Sequence, residues 1–100
     1  DKDNTLELFQ IWLNLPKKSK MVDPYFTMFW KEKAVLATYK DANDKETTVR
    51  LVAGSDMLPD PTNKSKFLVP NLPPPDSWAA DPENHVAVWI ITMQPGAKWE

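Results

Sequence analysis

A chain of 100 residues, 42% of them hydrophobic and 26% charged, with a formal net charge of −2, has room for one small domain or for part of a larger one. Twelve basic residues against fourteen acidic ones leave no cationic excess to displace counterions from phosphates, which argues against direct nucleic-acid binding. With no cysteine, disulfides, thiolate metal sites and a cysteine nucleophile are excluded; no secretory leader pattern and no run of about 18 apolar residues points to export or to a membrane span, so a cytoplasmic location is the default expectation.

The densest apolar stretch comes first, in residues 6–15. Phe9, Ile11, Leu13 and Leu15 fall on one face of an extended chain and Leu8, Gln10, Trp12 and Asn14 on the other, which predicts a strand covered on both sides. A helix is the rival, because Leu8, Ile11, Trp12 and Leu15 also have helical spacing and Asn4 with Glu7 could form a capping box. The short run and its isoleucine and aromatic residues favour the strand. Pro16 stops it, and Lys17, Lys18 and Lys20 form a basic turn, read as a solvated loop rather than a nuclear-import or phosphate-binding patch. Asp23 and Pro24 are a helix-start pair. They predict a short helix over residues 25–32 whose stripe of Phe26, Phe29 and Trp30 lies on the sheet.

Residues 34–39 and 47–53 are both β-prone, and the polar run from Lys40 to Lys45 reads as the loop of a hairpin. Val49, Leu51 and Ala53 alternate with Thr48, Arg50 and Val52, so one face is buried and the other partly wet, and Gly54 ends the strand. From Ser55 to Glu83 periodicity vanishes, and Pro59, Pro61, Pro70, Pro73, Pro74, Pro75 and Pro82 oppose helix and central strand. This predicts a long connection without secondary structure, the most mobile and protease-sensitive part of the chain. Its proline triplet reads as a rigid spacer rather than a polyproline ligand, with Trp78 as the anchor that pins the segment to the fold. Residues 86–93 form the second strong strand, Val86, Val88 and Ile90 alternating with Ala87, Trp89, Ile91 and Met93. Pro95 and Gly96 then turn the chain, and Lys98, Trp99 and Glu100 start a further strand. With Asp1 in place of a methionine at the other end, both ends read as cut.

Three stretches, FQIWLNLPKKSKMVDP, PPPDSWAADP and VAVWIITMQPGAKW, resemble the middle of a bacterial pirin-family protein. Pirins are similar to cupins and carry two β-barrel-like domains in one chain, so the resemblance covers all of this sequence but only part of the family's length. It implies a mainly β fold: an antiparallel sheet from a cupin-type double-stranded β-barrel, with one short helix and a long Pro-rich connection. Residues 1–54 would close the first domain, 55–84 would be the inter-domain connection, and 85–100 would open the second domain. Lys33-Ala34 and Ala53-Gly54-Ser55 depart from the isoleucine-proline and alanine-glycine-glutamate that relatives often carry, which bears on the hairpin and not on the assignment.

Metal-binding members of that family hold an iron-type divalent ion with a His-x-His pair and a later His-x-Glu pair, and both would lie upstream of Asp1. The single histidine, His85, reads as a surface residue at a strand entrance, since one imidazole makes no site. The resemblance therefore implies iron for the full-length protein, but no metal, catalytic or cofactor residue in this chain, which is expected to be inactive alone. For the parent it leaves two functions: a metal-dependent oxygenase similar to quercetin dioxygenases, or a regulatory adaptor that binds a transcription factor or a metabolic enzyme. The strands carrying Trp12 and Trp89 are expected to pair in one small sheet with the Phe26 to Trp30 helix on it, or to be completed by the remainder of the pirin fold or a second copy, with self-association as the symptom.

Overall fold

A computed structural model describes residues 3–100. Five strands form two open antiparallel sheets: β1 (Val35–Lys40), β2 (Glu46–Gly54), β3 (Leu58–Asp60), β4 (Asn63–Leu68) and β5 (Ala87–Met93). The larger sheet has the order β1-β2-β5 and the smaller is the β3-β4 hairpin. The β1-β2 hairpin and β5 lie where period-two patterning placed them, within a residue or two at each end.

The register explains where the core sits. Leu51 faces Val35 and Trp89, Val49 faces Ala37 and Ile91, and Thr47 faces Tyr39 and Met93, so these nine residues share one side of the sheet. At its centre Val49 and Leu51 are both 0% exposed, flanked by buried Ala37, Ala53 and Thr47. On the other side, Arg50 reaches back to donate from Nη1 to the Lys31 carbonyl at 3.0 Å.

Beyond Leu51 the ladder slips, from the Leu51–Trp89 pair to Ala53–Val88, which leaves Val52 in a bulge. Asn71 fills the gap: its Nδ2 donates to the Val52 carbonyl at 3.0 Å, and its own carbonyl accepts the Gly54 N–H at 3.1 Å. Gly54 is required at this crossing. Its φ of 136° lies outside the range of other residues, and a Cβ there would press into the Val86 carbonyl and come within 2.9 Å of the Ala87 Cα.

Three segments depart from expectation. Residues 6–15 form no strand, and Leu6, Leu8, Phe9 and Trp12 are exposed instead of covered on both sides. Alternation creates two faces, but a strand exists only as half of a ladder, and no edge of either sheet pairs with this segment. Trp12 and Trp89 therefore do not share a sheet; β5 pairs with β2 alone.

Residues 25–32 form no α-helix. The backbone is irregular through Trp30, which is extended at ψ 142°, and only a 3-10 turn follows, at Lys31–Lys33. Nucleating so short a helix is unfavourable, aromatic residues and threonine are indifferent helix formers, and no packing compensates, since Phe26 stays 84% exposed.

The Pro-rich segment is not structureless. Its β3-β4 hairpin turns on Asp60, whose Oδ1 accepts from the Thr62 N–H at 2.8 Å and from the Thr62 hydroxyl at 2.7 Å. Pro59 is tolerated because β3 is an edge strand. The expected anchor is displaced by one residue on either side of Trp78: Ser77 and Ala79 are buried, whereas the indole is half exposed. Ser77 Oγ ties the proline triplet down by donating to the Pro74 carbonyl at 2.7 Å.

The whole is flat and open. Its extents are 51 × 47 × 21 Å and its radius of gyration is 16.4 Å, against about 13 Å for a compact chain of this length. It exposes 8500 Å², whereas a compact protein of this mass exposes roughly 5800 Å².

Candidate functional site

The chemistry-bearing side chains gather around the loop end of the β1-β2 hairpin. Pro95 and Gly96 (φ 79°) reverse the chain after β5, with the Ala97 N–H donating to the Gln94 carbonyl at 3.0 Å. That turn folds Trp99 back onto the sheet instead of starting a further strand. Its ring lies 5.6 Å from Tyr39 and 6.1 Å from Trp89, the latter edge-on, which are favourable aromatic geometries. The Trp89 Nε1 and the Thr47 hydroxyl are buried on this side without a hydrogen-bond partner among the described residues.

Asp41 is the polar hub of the same corner. Its Oδ1 accepts from the backbone N–H groups of Asn43 at 2.8 Å and Lys45 at 3.0 Å, and its Oδ2 from that of Lys98 at 2.9 Å. The Lys98 bond, then the Lys45 bond, hold its carboxyl below the ordinary carboxylate range against the opposing effect of desolvation. Across the sheet, the Tyr39 hydroxyl donates to the Pro59 carbonyl at 2.7 Å and so fastens the small hairpin to β1. Burial, then the nearby negative charge of Asp60, raises the Tyr39 phenol above its usual value. Asp60 itself is lowered, first by the Thr62 hydroxyl and then by the Thr62 N–H.

The hub carboxylate is spent on three backbone donors. Among the described residues no group of three or more His, Cys, Asp or Glu side chains converges. His85, at φ 49°, closes the 3-10 turn Pro82–Asn84 just before β5, with its Nδ1 3.2 Å from Asp56 Oδ1. One imidazole and one carboxylate on an open surface do not fit the four-ligand iron site implied by the family resemblance. Lys17, Lys18 and Lys20 lie on a 3-10 turn at the surface, where Lys20 Nζ reaches Asn14 Oδ1.

Comparisons with known protein families, curated proteins and solved structures return no match to this chain. The surface is then the most informative feature. A shallow groove of about 380 Å³ lined by Leu13, Asn14, Trp78, Ala79 and Val86 marks where residues 6–15 meet the rest of the fold, and the Trp78 N–H donates to the Asn14 carbonyl there at 3.0 Å. Upstream of Leu13 the apolar side chains face solvent, Trp12 at 86% exposure. Sequence reasoning passed over Asp41, Asn71 and the returning Trp99. Only Asp41 carried a local signal, an aspartate opening a polar loop, which commonly accepts from the backbone two residues on.

Proposed function

We propose that this chain is a segment of a pirin-type, cupin-like protein and serves as a structural part of it rather than as a catalytic unit. In that reading residues 1–54 belong to the first barrel, 55–84 connect, and 85–100 open the second barrel. The observation that carries it is the surplus of exposed surface, roughly 2700 Å² beyond a compact chain of this mass, much of it apolar along residues 6–30. The three stretches of family resemblance support the same reading.

The parent's chemistry, in this reading, is that of a metal-dependent oxygenase whose ligands come from outside these residues. Expressing the chain alone and together with its upstream coding sequence tests this, with iron content after dialysis and flavonol consumption as readouts. The expected result is no stoichiometric iron in the chain alone, and iron with oxygen-dependent turnover in the longer protein. One tightly held iron per isolated chain overturns the structural role, and a longer protein that binds no metal replaces the oxygenase with a regulatory adaptor.

A further inference from the structure

We infer that residues 6–15 act as an exchanged strand, adding to the open edge of β5 in a second copy of this chain to form a reciprocal dimer. The inference goes beyond the family reading and rests on three observations.

The segment has the alternation of a strand and a single charged residue, Glu7, yet it makes no ladder and leaves Leu6, Leu8, Phe9 and Trp12 exposed. It is tethered near its end, at Asn14, so the residues upstream extend from a fixed point.

The second observation concerns the edges. Free strand edges are commonly blunted by charge, lysine above all. The β1 edge carries Lys40, and β4 carries Lys64 and Lys66. β5, reading AVWIITM, carries no charge, and Ile90 on one face and Ile91 on the other are each nearly half exposed. A strand apolar on both faces is built for the interior of a sheet, and β5 has β2 on one side only.

The third is area. A standard interface buries about 800 Å² on each partner, and the exposed surplus of this chain is roughly three times that. A reciprocal exchange is closed and self-complementary, which limits assembly to a dimer. Main-chain hydrogen bonds of the added strand would supply affinity and its alternating side chains the register.

Sedimentation velocity from low micromolar to submillimolar chain, combined with hydrogen exchange on the same samples, tests the exchange. The expected result is a monomer–dimer equilibrium in which amides of residues 6–15 and of β5 gain protection together as the dimer forms. Ile11→Pro removes a ladder donor from a segment that is unpaired in the monomer, and Ile90→Lys gives β5 the charge that the other edges carry. Each is expected to raise the dimer dissociation constant at least about tenfold while leaving protection of the β1-β2 hairpin in the dilute monomer unchanged. If one variant disturbs that hairpin, the other decides. A monomer throughout the range, with or without protection of residues 6–15, overturns the inference, as does a dimer in which those amides stay unprotected. Iron content is a separate readout, so this result stands or falls apart from the parent's function.

Discussion

The β1-β2-β5 sheet and residues 6–30 are equally apolar stretches with opposite fates. In the sheet, Val49 and Leu51 are sealed by paired strands on both sides. In residues 6–30, the strap, Phe9, Trp12 and Phe26 carry larger apolar side chains and remain in water. The difference lies in backbone pairing. The β1-β2 ladder closes across a short loop whose entropy cost is low and whose turn is prepaid by Asp41, whereas the strap pairs with no edge in its own chain and so does not align its side chains into a face.

Proteolysis gives the largest contrast. Dilute trypsin digestion is expected to cut at Lys17, Lys18 and Lys20 faster than at Arg50 by orders of magnitude, because the central strand must open before Arg50 is accessible. First cuts at Lys64 or Lys66 would instead restore the Pro-rich connection as the weakest part of the chain. Truncating side chains sharpens the same comparison. Leu51→Ala should cost about 2–5 kcal/mol as the cavity term adds to lost burial, while Trp12→Ala should stay within about 0.5 kcal/mol in dilute solution. Urea denaturation read by tryptophan fluorescence measures both, and equal effects would mean that the strap belongs to the core.

Smaller effects examine how the corner is fastened. Tyr39→Phe removes the hydroxyl bond to Pro59 and should cost about 1 kcal/mol, seen as a lower urea midpoint together with faster amide exchange in β3-β4. Asp41 sets an acid limit. Its carboxyl is held below the ordinary range in the folded chain, so its contribution is complete above the unfolded value of about 3.9 and is lost as pH falls through the folded value. The urea midpoint should therefore decline on acidification below about pH 4, and Asp41→Asn should flatten that decline. An unchanged acid profile would show that the three backbone bonds to Asp41 carry no linkage.

The β1-β2 hairpin was legible in advance because its information is local: alternation in residues 47–53, a polar loop before them, and a glycine at the end. The Pro95-Gly96 reversal was legible for the same reason, since a proline followed by a glycine fits the two central positions of a tight turn. The β3-β4 hairpin was hidden by Pro59 and Pro61, and by β4's lack of an apolar face, features that an exposed edge tolerates and a central strand does not.

By itself, the sequence determined which segments can be strands and where the chain reverses, and its single histidine and lack of cysteine limited the metal chemistry it can support. Tertiary structure alone decided which strand-competent segments become strands. β5 succeeded because β2 offered it an edge across more than thirty intervening residues, with Asn71 and Gly54 absorbing the slip at Val52. Residues 6–15, with as good a pattern, pair with neither free edge of the sheet in this chain. Alternation is a property of one segment, but a ladder is a property of two, and the second partner is never written in the first.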